Sequence, residues 1–149
     1  MTLKTFLSVL LVYRSNFHVL HWLAKGKNFF RVHDKAAEYY EEILNDVDVI
    51  AEMILRRDGS IVNYEEALEV IKEDENHEFL LVDSEKTYNA KEFKDNATKM
   101  LNDILQCIEE LLATEYIQEP KNVGIKATLE GMYDKYDLQA NYLLKRFMD

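Results

Sequence analysis

Residues that break regular structure are nearly missing from this chain. Its 149 residues include four glycines and one proline, where average usage of the two would supply about eighteen. So few turn-formers exclude β-sandwiches, glycine-rich phosphate loops and long disordered tails, and point to long helices. No G-x-G-x-x-G or P-loop cradle can be assembled from Gly26, Gly59, Gly124 and Gly131. Cysteine is equally scarce. The lone Cys107 rules out an internal disulfide and a cysteine-cluster zinc site. It lies between Ile104 and Ile108, an apolar setting that predicts an inert core thiol. Cations are outnumbered, with 18 Lys and Arg against 28 Asp and Glu, a net charge of −10. An acidic surface repels phosphate backbones and anionic lipids, and neither end carries a basic arm. Both facts argue against a nucleic-acid partner. No apolar run approaches the roughly eighteen residues that span a bilayer. The apolar stretch from Phe6 to Tyr13 is followed by no small-residue cleavage site. A soluble, cytoplasmic protein with no membrane partner is expected.

What is present is apolar periodicity. Apolar residues make up 48% of the chain, enough for the core of one domain covering 1–149. Four long segments repeat at three- and four-residue steps. The first runs from about Thr2 to Lys25 through Leu3, Leu7, Leu10, Phe17, His21 and Ala24, and Gly26 stops it. The second runs from about Phe29 to Arg57 through Val32, Ala36, Tyr40, Ile43, Val47, Ile50 and Ile54, with Asn28 as N-cap and Asp58-Gly59 at its end. A short helix is predicted over Tyr64 to Lys72. Asn63 and Glu66 have capping-box spacing there. The pair Asn89 and Glu92 repeats it before a third long helix, whose stripe runs from Phe93 to Leu111. Asn122 is expected to cap the fourth, Val123 to Phe147, through Leu129, Met132, Tyr136, Ala140, Leu143 and Phe147. This order describes an all-α four-helix bundle with a short helix in a long middle connection that crosses the bundle. The first and third connections are tight, so each joins an antiparallel hairpin.

The residues able to do chemistry are few. There are four histidines: His18, His21, His33 and His77. The last sits in a polar loop and is expected to be exposed. Asp48 and Glu52 stand one turn apart on one helix face. Taken singly, such acids are a solvated face and such histidines are hydrogen-bonded core residues. Their arrangement says more. His21 lies six residues before the centre of the first hairpin turn and His33 six after it, so the two imidazoles meet at one level on facing helices. Asp48 is fifteen residues beyond His33, roughly 22 Å along a helix, whereas a metal–ligand bond is about 2 Å. One chain cannot bring them to one ion. Two hairpins packed antiparallel about a two-fold axis near Tyr40 would make two equal sites from His21 and His33 of one chain and Asp48 and Glu52 of the other. The chain has no Glu-x-x-His, which excludes a di-iron site inside a single bundle. No serine sits in an elbow beside a histidine, so a nucleophilic enzyme is poorly supported.

These residues have a known counterpart. His18-Val-Leu-His21-Trp22, Gly26-Lys-Asn28-Phe29-Phe30, His33, and Asp48-Val-Ile-Ala51-Glu52 resemble the signature of the Dps family, the mini-ferritins. The likeness is close over the first two long helices; the later elements agree in order and length. The resemblance implies a ferritin-like bundle assembled as two-fold dimers within a dodecameric cage. It also implies that Fe(II) binds at the dimer interface, is oxidised preferentially by hydrogen peroxide, and is stored as ferric mineral. By position, His21, His33, Asp48 and Glu52 would be the iron ligands and would carry the ferroxidase reaction, with Trp22 beside the site. The chain departs from the family at three places. Ala37 stands where many members have an acidic ligand four after the second histidine. Lys121, Asn122 and Lys126 stand where acids line the family's cation pores. The lysine-rich tail that lets some members bind DNA is missing. These departures leave two alternatives open: a helical oligomer that has lost turnover, and a binder of another metal at the same site.

Overall fold

The computed structural model describes residues 1–147. All its regular elements in that range are helical: α1 (Leu3–Trp22), α2 (Phe29–Arg56), α3 (Tyr64–Glu73), α4 (Ala90–Leu112), α5 (Glu115–Gln118) and α6 (Val123–Leu138). Helices α1 and α2 form one antiparallel hairpin, and α4 packs on α6 and on α1. The crossover between the pairs carries α3, which packs on α1. This is a four-helix bundle with a short helix in the crossover, the architecture expected from periodicity. None of the described helices is long and apolar enough to cross a membrane.

Local chemistry sets the element starts. Both capping boxes form. Asn63 accepts from the Glu66 N–H at 2.9 Å and Asn89 accepts from the Glu92 N–H at 2.9 Å, while each glutamate reaches back to its cap's N–H. Asn28 and Asn122 make no such cap. The Asn122 amide is spent elsewhere: its oxygen accepts from Arg57 Nε at 2.9 Å and its nitrogen donates to the Tyr116 carbonyl at 2.7 Å. The α5 turn was not expected from the sequence. Its only local signal is Thr114, whose hydroxyl caps Ile117.

Two ends differ from expectation, each for a physical reason. Helix α1 stops at Trp22, not Lys25. The Leu23 carbonyl and the Lys25 N–H leave the helix to pair with Tyr88 at 2.9 Å each, tying the hairpin turn to the end of the crossover. Gly26 then turns the chain at φ +96°. At the other end, α6 gives way to a π turn over Gln139–Leu143 and a 3-10 turn over Leu144–Arg146. The π turn inserts one extra residue, so the buried stripe passes from Ala140 to Leu144 while Leu143 faces outward.

The core is built on buried rings. Phe17 meets Tyr39 at 5.1 Å, and Tyr39 stacks on Phe93 at 6.4 Å. Two polar bridges cross it. Tyr13 donates to Asp103 at 2.5 Å, and Lys99 donates to the other oxygen of Asp103 at 2.8 Å. Tyr136 donates to Asp46, which also accepts from Lys135 at 2.6 Å. Burial first, then the neighbouring carboxylate, raises the pKa of both phenols, so both stay protonated donors. Cys107 is buried, and burial pushes its thiol up to about 12. It is the inert core residue expected.

Candidate metal centre

The site grows out of the α1–α2 hairpin. The last carbonyls of a helix have no partner within it, and α1 ends one residue after His21. The His21 carbonyl takes its hydrogen bond from His33 Nδ1 at 2.8 Å, and the His33 carbonyl takes one from His21 Nδ1 at 2.6 Å. A carbonyl can only accept, so each Nδ1 carries a proton, and the neutral tautomer this selects has its lone pair at Nε2. This is the outer-shell lock that fixes tautomer and ring plane in metal-ligating histidines. The rings lie 3.6 Å apart at 20°. Phe29 stacks on His33 at 5.0 Å, and Tyr40 meets His21 edge-on at 5.5 Å. The equal-level expectation therefore holds for His21 and His33.

His18 stands one turn earlier, its ring between Trp22 at 4.0 Å and Tyr40 at 4.4 Å. Burial, then the electrostatic influence of His21 and Arg14, lowers its pKa, so it is neutral near pH 7. Trp22 lies at the edge of this stack with 62% of its surface exposed, and Phe30 is 76% exposed.

Asp48 and Glu52 are exposed on α2, away from the histidines. Among the described residues no group of three or more His, Cys, Asp or Glu side chains is placed to hold a metal. The histidine pair and the carboxylate pair thus lie at two separate places along the hairpin. Around α2, at about 100° per residue, Phe30, Ala37, Leu44, Asp48 and Leu55 all fall within about 60° of His33. Phe30, Leu44 and Leu55 are exposed apolar side chains. His33 and Asp48 therefore lie toward either end of one α2 face that also carries exposed apolar side chains, while Glu52 stands about 100° from His33. At the other departures, Lys121 lies in the 3-10 turn before α6 and Lys126 in the first turn of α6, which holds no acid.

His77 is not the exposed loop residue expected. Its side chain is 12% exposed and lies between two carboxylates. Sequence spacing reveals one of them, Asp74, three residues away; Glu110 arrives only through the fold.

Residues 2–119 match the Ferritin-like domain family. A DNA protection during starvation protein of Porphyromonas gingivalis is 34% identical over 79 residues, covering 52% of this chain and 50% of that protein. Another relative, general stress protein 20U of Bacillus subtilis, is 42% identical over 53 residues, covering 35% of this chain and 37% of its own. The chain spans half or less of the length of the curated relatives it matches. Its backbone superposes on the crystal structure of Dps from Staphylococcus aureus with a TM-score of 0.78 and 25% identity, covering 99% of this chain and 92% of that one.

Proposed function

Since the chain belongs to the ferritin-like domain family, in its Dps branch, we propose that it is a mini-ferritin ferroxidase whose iron site is shared between two copies. The observation that carries this reading is the reciprocal lock of His21 and His33. Two stacked imidazoles are held in the tautomer that can offer Nε2 to a cation, on the same hairpin as a pair of carboxylates too far away to be reached within one chain. An antiparallel partner brings Asp48 and Glu52 to those nitrogens and buries Phe30, Leu44, Leu55 and Trp22 in the same step.

The donor set suits iron as substrate. Neutral imidazole and ionised carboxylate bind Fe(II), and two carboxylate charges favour Fe(III) further. The net −10 of the chain draws the cation in. Two ferrous ions give one electron each to hydrogen peroxide, whose O–O bond breaks to two hydroxides. The ferric ions then hydrolyse toward mineral. Trp22 and Tyr40 flank the site and shield it on one side. A cage of such dimers would store the product, and the whole would act in the cytoplasm. Ala37 supports a second reading, a helical oligomer without turnover, since it offers no donor beside His33.

Anaerobic Fe(II) loading followed by a peroxide pulse tests the proposal. The expected result is rapid ferric absorbance in the wild type, slowed at least about 100-fold in a His33→Ala, Asp48→Ala double variant. Equal rates in the two proteins would remove the reading.

A further inference from the structure

His77 has no part in the iron site, yet its ring is the most tightly engaged of the four. Nδ1 lies 3.1 Å from both oxygens of Asp74, and Nε2 lies 2.8 Å from Glu110. Phe79 stacks on the ring at 5.0 Å and 16°. Asp74 caps the C-terminus of α3, and its carboxylate also accepts the N–H groups of Asn76 and His77 at 2.8 and 2.9 Å. Glu110 belongs to the last turn of α4. One imidazole thus pins the stretch of the crossover just after α3 to the last turn of α4.

The arrangement works in one protonation state. An imidazolium has two N–H groups and can donate to both carboxylates. A neutral imidazole has one, so the other ring nitrogen would turn its lone pair on a carboxylate at hydrogen-bond distance. The charges that act on His77 are those of Asp74 on α3 and Glu110 on α4. From α4, Cys107 lies a turn before Glu110 with its thiol uncharged. Asp103 is taken up by Tyr13 and Lys99. We propose that the Asp74–His77–Glu110 clasp is a proton-operated latch on the crossover: the imidazolium fastens residues 74–79 to α4, and loss of its proton releases them.

Electrostatics agree with the geometry. Burial acts to lower the His77 pKa, but the hydrogen bonds and charges of Glu110 and Asp74 outweigh it and leave the value raised. Asp74 is lowered: burial works the other way, but its bonds to His77 and to the Asn76 N–H prevail. A histidine raised in the folded state stabilises fully below its ordinary pKa of about 6.5, and that stabilisation fades as pH climbs through the raised value. The aspartate's share is lost only in acid, as pH falls through its lowered value. The latch is therefore closed below the ordinary histidine value and opens as pH climbs through the raised one. Beyond it the crossover is held by bonds that do not titrate. The Leu80 N–H donates to Tyr13, and Asn16 bonds Leu80 and Val82. Opening is confined to the segment before Leu80.

Amide hydrogen exchange of the full chain, corrected for intrinsic base catalysis and followed from about pH 6 to about pH 9, reads the latch directly. Protection of the Asn76 and His77 amides should fall at least about fivefold through one titration with its midpoint above 6.5, while those of Leu80 and Val82 stay protected. Glu110→Gln should move that midpoint down, and His77→Gln should leave the segment poorly protected at every pH. If His77→Gln does not fold, the Glu110→Gln shift decides alone. Protection that is flat with pH in the wild type, or a midpoint unmoved by Glu110→Gln, would overturn the proposal.

Discussion

Leu44→Glu should yield a monomer that no longer oxidises Fe(II). Leu44 is 38% exposed near the middle of α2, within about 20° of His33 around the helix. In the proposed dimer, a two-fold axis near Tyr40 sets residue 44 of each copy against the stretch around residue 36 of the other, so both copies lie within the interface. A glutamate there would place two like charges in a surface that must lose its water, beside Glu41 and Asp48 of each chain. The dimer dissociation constant should rise at least about 100-fold, or about 2.7 kcal/mol. Because the side chain faces outward, the fold itself should shift by no more than about 0.5 kcal/mol. Sedimentation and thermal unfolding separate the two effects. A variant that stays dimeric and active would place the interface elsewhere.

Asp46→Ala should cost the fold about 2–4 kcal/mol in urea unfolding. The carboxylate accepts from two groups on α6. Tyr136 is 1% exposed, so its hydroxyl would be left buried without a partner. Lys135 contributes less, since its side chain is 35% exposed and regains water. Tyr136→Phe should cost about 1 kcal/mol, because Asp46 keeps the lysine. If the two variants cost the same, the unsatisfied phenol is not the source of the loss.

The fold was legible where one helix face explains itself. The four long stripes, the short crossover helix and both capping boxes follow from spacing along the chain. The errors fall where a distant residue intervenes. Tyr88 ends α1 early by pairing with Leu23 and Lys25, and Arg57 and Tyr116 take the Asn122 amide that would have capped α6. The π turn at Gln139 shifts the last stripe by one residue; there, Gln139 faces inward and accepts from Tyr39 at 3.2 Å. Of the site, symmetry about the first hairpin turn found the His21–His33 pair. It could not find the reciprocal carbonyl bonds, because these depend on where α1 ends. His77 was misjudged because a polar loop says nothing about a helix that packs over it from 33 residues away.

In the proposed dimer each iron site takes histidines from one copy and carboxylates from the other. Mixing two inactive proteins tests this most directly: a His21→Ala, His33→Ala variant and an Asp48→Ala, Glu52→Ala variant, unfolded together and reassembled in equal amounts. Random pairing makes half the dimers mixed, and each mixed dimer has one intact site and one empty of all four donors. Peroxide-driven Fe(II) oxidation should return to about a quarter of the wild-type rate per chain. If the mixture, shown to contain mixed dimers, stays as inactive as its two components, the site is not shared between chains.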